Sequence, residues 1–136
     1  IIELKRKKMN RLIFTLFIGI IAITSCNKEP VDRSQVCLKV QHHQALMPNT
    51  KVYLKYNDSV FPGYDLNKLD IFDANFQVDA DGQGCIEGLP LGTHWLVAHG
   101  RDEEWGDEGQ RIRGSIRINL VETRFQLDTI IYVQEY

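Results

Sequence analysis

Four histidines, three cysteines and an acidic run around one tryptophan hold most of the chemical options of this 136-residue chain. His42, His43, His94 and His99 are the candidates for a metal centre, because neutral imidazole is a good zinc ligand. Their spacing matches no recognised zinc pattern. On extended backbone, neighbouring side chains point to opposite faces. His42 and His43 are therefore expected on opposite faces, as are His94 and His99, and at best one of each pair could share a face. We expect His94 to be a core or sandwich-end residue with its nitrogens satisfied, the other three to be exposed, and no metal or cofactor to be bound.

Asp79, Asp81, Gln83 and Glu87 invite comparison with a calcium loop, but Gly82 falls at position four rather than six. A strand-joining turn fits better, since Asp and Gly tolerate turn geometry. No Ser, His and Asp arrangement, phosphate-cradling glycine loop or framed pair of carboxylates is present, so no catalysis is expected. Arg101-Asp102-Glu103-Glu104-Trp105-Gly106-Asp107-Glu108-Gly109 gathers five acids around Trp105. Displayed on a loop, Trp105 with Asp102, Glu103 and Glu104 is the candidate ligand-contact segment, because Trp anchors interfaces well. The alternative is that Trp105 folds over the sandwich end and the acids form a solvated tip.

Cys37 and Cys85 each fall on an expected strand. In an oxidising compartment they could pair, provided their Cα atoms come within about 7 Å. Two separate thiols, each a small buried hydrophobe, is the other outcome.

The compartment is argued from the N-terminus. Lys5, Arg6, Lys7, Lys8 and Arg11 precede an uncharged run from Leu12 to Ser25, the basic and apolar regions of a signal peptide. That run is shorter than the roughly 20 residues a membrane-spanning helix needs. Ile23-Thr24-Ser25-Cys26 resembles a lipobox, which implies cleavage before Cys26 and lipidation of its thiol, the membrane being a partner through that lipid. Met9 by itself opens a conventional signal, so residues 1–8 are expected to precede the true start. Asn27, where an aspartate could retain such a protein in the inner membrane, favours the outer membrane. The expected division is 1–25 signal peptide, 26–34 lipidated linker and 35–136 one β domain. With the signal go five of the 16 basic residues and one of the 18 acidic ones, leaving 11 and 17, net −6. That charge argues against nucleic acid as a partner.

In the domain, period-two alternation dominates. Val36, Leu38 and Val40 alternate with Cys37, Lys39 and Gln41, and Val52, Leu54 and Tyr56 with Lys51, Tyr53 and Lys55. Met47-Pro48-Asn49 is an expected turn, Phe61-Pro62-Gly63-Tyr64-Asp65 a structured loop, and further strands lie near residues 71–78, 85–88, 93–99, 111–120 and 125–133. The run Asp81-Gly82, Ile86, Gly88-Leu89-Pro90-Leu91-Gly92-Thr93-His94, Leu96 and Ala98 resembles the prealbumin-like modules of carboxypeptidase-regulatory-like and Cna-B type, with His94 where those have tyrosine. The resemblance covers residues 79–98 best and, by strand order, 35–133. It implies a seven-stranded antiparallel, Ig-like sandwich without enzyme activity. The expected function is a noncatalytic, lipid-tethered envelope module that binds a glycan or envelope protein, or alternatively a structural, pilus-like assembly subunit.

Overall fold

In the computed structural model, residues 34–104 and 109–136 are described; the expected signal peptide, Cys26 and Trp105 lie outside them. Eight strands follow one another: β1 Gln35–His42, β2 Ala45–Leu46, β3 Lys51–Lys55, β4 Ala74–Gln77, β5 Gln83–Glu87, β6 Gly92–Asp102, β7 Gln110–Leu120 and β8 Gln126–Glu135. One kinked 3₁₀ segment, Leu66–Ile71, stands between β3 and β4. No helix among the described residues is long and apolar enough to cross a membrane.

The strands form a curled mixed sheet in the order β2-β1-β8-β7-β6-β3-β4, with β5 also on the β1 edge. Two features differ from the expected seven-stranded antiparallel sandwich. The first is β2, a two-residue strand made by a hairpin at His43-Gln44. The second is that β1 and β8 pair in parallel over eight residues, from Gln35↔Gln126 to His42↔Val133. Alternation shows which side chains face inward, but it is the same for parallel and antiparallel ladders, so the direction of a pair between chain ends is not written in it.

Inward-facing rows make a single core: Val36, Leu38 and Val40 from β1, Val52 and Leu54 from β3, Leu96 and Ala98 from β6, Ile112, Ile118 and Leu120 from β7, and Ile131 and Val133 from β8. Where β7 crosses to β8 the backbones come very close. A Cβ on Gly114 would collide with the Tyr132 carbonyl, so glycine is required there.

Residues 79–83 form the expected turn. Asp79 Oδ1 accepts from the backbone N–H of both Asp81 and Gln83, each at 2.9 Å, and Gly82 has φ +69°. Cys37 and Cys85 stand opposite each other in the β1–β5 ladder and are joined by a disulfide.

β6 runs on to Asp102, three residues past the expected end. The acidic look of Arg101-Asp102 suggests a loop, but both backbones stay in the ladder with β7, Asp102 opposite Gln110. β1, β6 and β8 all run the same way, because β8 is parallel to β1 and antiparallel to β7, which is antiparallel to β6. Their C-terminal ends therefore meet at one end of the fold.

Candidate functional site

Polar residues terminate three of the inward rows at that end. Val36, Leu38 and Val40 lead to His42; Ile131 and Val133 lead to Glu135; His94, Leu96 and Ala98 lead through Gly100 to Asp102. His42 is 2% exposed and Asp102 is also buried, against the expectation of an exposed histidine and a loop carboxylate. His42 Nδ1–H donates to Asp102 Oδ2 at 2.7 Å, and Asp102 Oδ1 accepts from the Glu104 N–H at 3.1 Å. The donation fixes the ring and turns Nε2 toward Glu135.

His43 was expected on the face opposite His42, but its φ of +51° re-aims the side chain. Histidine is among the residue types that tolerate this left-handed conformation. Gln41 Nε2 holds the turn by donating to the His43 carbonyl at 2.7 Å. The two imidazoles lie 4.2 Å apart, centre to centre. Glu135 Oε1 lies 3.1 Å from His42 Nε2 and 3.6 Å from His43 Nε2. Its carboxyl is held below the ordinary value, first by a hydrogen bond from its own backbone N–H and then by His42 and His43, while burial opposes the shift.

The outer face of β3, β6 and β7 carries a second group of residues. Tyr53, Trp95, Val97 and His99 have outward parity, and the connection after β3 packs over them. Phe61 meets Trp95 at 5.0 Å between ring centres, Phe72 meets Tyr53 at 5.3 Å, and the Tyr64 hydroxyl bonds Ser115 Oγ at 3.0 Å. The expected structured loop thus becomes a lid over an aromatic layer. Beside it opens a cleft of about 500 Å³ whose walls include Lys51, Tyr53, His99, Glu103, Arg111 and Tyr136. The Arg113 guanidinium stacks on Tyr64 and on Tyr136, at 4.6 and 4.3 Å from the ring centres.

His99 is 8% exposed, not surface-displayed as expected, and neither ring nitrogen has a hydrogen-bond partner. The edges of Tyr53, Tyr64 and Tyr136 surround it. Burial, and then Arg113, pull its pKa below 6.5. A depressed histidine pKa means that the unfolded chain takes up the proton first as pH falls. The His99 share of stability is therefore complete above pH 6.5 and is lost as pH drops from there toward the lowered value. Urea titrations across this range should show a shallower decline for His99→Asn than for the parent; equal slopes would remove this assignment.

His94 is fully buried and satisfied, with Nε2–H donating to the Pro90 carbonyl at 2.7 Å and Nδ1 accepting from the Asn57 N–H at 3.3 Å. Of the proposed contact loop, Glu103 and Glu104 are exposed and Glu103 borders the cleft, Asp102 is withdrawn to His42, and Trp105 lies outside the described residues. Continuing the period-two rows, by one step on β1 and by two on β6, would have found His42 and Asp102. Glu135, on the closing strand, carried no signal of a ligand or site role.

No family model and no curated protein matches this sequence. Among solved structures, it is similar to a proposed carbohydrate binding protein from Pseudomonas aeruginosa, at 14% identity over 76% of this chain and 90% of that one, with a TM-score of 0.49. It is also similar to the pilus 2b backbone protein of group B streptococcus, at 15% identity over 74% of this chain and 40% of that one, with a TM-score of 0.47.

Proposed function

We propose that this chain is a noncatalytic binding module of the bacterial cell envelope, tethered to the outer membrane by lipid on Cys26, and that it takes an anionic glycan in the outer-face cleft. The observation that carries this reading is the composition of the cleft. Lys51 and Arg111 outnumber Glu103 along its walls, on a domain whose charge is otherwise acidic. The half-exposed ring of Tyr136 offers a surface to an apolar sugar face. Cationic groups beside rigid aromatics suit a ligand that is both flat and negatively charged.

No catalytic role is assigned to His42 and Asp102, because His42 Nε2 faces a carboxylate rather than a hydroxyl or thiol. Calorimetric titration with uronic-acid oligosaccharides and their neutral counterparts tests the cleft. Binding of the acidic series alone, weakened about tenfold or more (roughly 1.4 kcal/mol) by Tyr136→Ala, is expected; indifference to charge or to Tyr136 would refute it. The address is tested separately: Cys26→Ala should move the protein to the soluble fraction, and a cleaved variant still bound to membranes would end the lipid-anchor reading.

The alternative, a structural subunit assembling by strand exchange, rests on the edges of β4 and β5, which are unpaired among the described residues. Those strands have only four and five residues, which suits blunted edges better than templates. Detergent-resistant oligomers would favour it.

A further inference from the structure

We propose that His42 Nε2, His43 Nε2 and the Glu135 carboxylate form a binding site for a divalent zinc-type cation, with Asp102 as the positioning residue behind His42. Three ligand atoms, all within 4.8 Å of one another, converge at the end where β1 and β8 finish side by side. Zinc held tetrahedrally at about 2.0–2.2 Å from nitrogen and oxygen ligands requires ligand-to-ligand edges of about 3.3–3.6 Å. The two imidazole-to-carboxylate separations, 3.1 and 3.6 Å, bracket that range.

The second observation is the state of His42 Nε2. Buried with its ring, it has no hydrogen-bond partner of acceptable geometry even though Glu135 Oε1 is within reach. With Nδ1 committed to Asp102, Nε2 is the ring nitrogen left for a further ligand. A ligand oxygen that is near the nitrogen but off its lone-pair axis is what a shared metal produces, since the metal and not the oxygen occupies the axis.

Carboxylate, histidine and metal in series is a common way to orient a zinc ligand and raise its basicity. Imidazole with carboxylate also favours zinc-type ions over magnesium or calcium, which take oxygen ligands. His43 is 71% and Glu135 42% exposed by side chain, so the fourth position opens to solvent, where water or a donor group of a bound molecule could complete the shell. The left-handed backbone of His43 is the local feature that brings its ring to this side of the strand.

The test uses the untagged full-length chain in detergent, freed of metal with a chelator and titrated with zinc chloride, followed by calorimetry and by the nitrogen resonances of the imidazoles. One equivalent should bind, and the Nε2 signals of His42 and His43 should shift while those of His94 do not. His43→Ala and Glu135→Gln alter exposed side chains, so both should keep the parent melting temperature yet bind about tenfold or more weakly; Asp102→Asn should weaken binding about 10–100-fold and disturb the His42 tautomer. No binding at about a millimolar zinc, an imidazolium at His42 that ignores zinc, or binding untouched by His43→Ala and Glu135→Gln would each overturn the proposal.

Discussion

Replacing Cys37 and Cys85 together by serine should lower the unfolding free energy by about 4 kcal/mol, the largest effect expected of any change outside the apolar core. The residues are 48 apart in sequence and face each other across the β1–β5 ladder. In the chain-entropy model, a cross-link closing a loop of that length restricts the unfolded ensemble by about this amount. Cys37 is only half-buried and Cys85 exposed, so serine itself forfeits little apolar burial and the change isolates the bond. Against a typical total of roughly 5–15 kcal/mol, such a loss is large. β5 should loosen first, because among the described residues it pairs with β1 alone. Urea unfolding of the parent and double variant, with amide exchange along β5, measures both consequences. Coincident urea curves would show that the cross-link adds nothing to stability. The bond also ties the fold to its proposed address, since disulfides persist in oxidising compartments such as the periplasm and cell surface.

What was legible in the sequence follows from which property each feature depends on. Inward rows depend on side-chain parity alone, and Val36, Leu38, Val40, Val52, Leu54, Leu96 and Ala98 all lie in the core where alternation puts them. Turn residues depend on local backbone preference, and Asp79-Gly82 closes as its composition requires. Strand direction depends on distant partners, and nothing local distinguishes the parallel β1–β8 pair from an antiparallel one. That pair nevertheless decides where the polar cluster forms, because it sends the ends of β1 and β8 to the same place as the end of β6. His43 escapes the parity rule through one left-handed backbone angle, and parity assumes extended backbone throughout. His99 had outward parity and was therefore expected to be exposed. It is buried because a connecting segment, rather than another strand, covers its face, and packing of an irregular segment leaves no periodic trace.

Removal of the Asp102 carboxylate should cost about 3 kcal/mol, whereas removal of the whole pair should cost far less. In Asp102→Ala, the buried His42 Nδ1–H loses its acceptor, the Glu104 N–H loses its cap, and the ring loses the contact that fixes it. An orphaned buried polar group carries a penalty of about 1–3 kcal/mol, and here two donors are orphaned together. The double change His42→Leu with Asp102→Leu instead continues two inward rows that are already apolar, Val36-Leu38-Val40 and Leu96-Ala98. Apolar replacement of a complete buried pair is often neutral or stabilising. Chemical denaturation of the two single variants and the double one forms a mutant cycle, and a strong favourable coupling between positions 42 and 102 is expected. Additive single effects would mean that the 2.7 Å contact does not carry the energy assigned to it. If the double variant is as stable as the parent, the core alone supplies no reason for two polar groups at this end of the fold. Their presence is then explained by what His42 Nε2 faces: a carboxylate and a second imidazole arranged around a space that a cation fits.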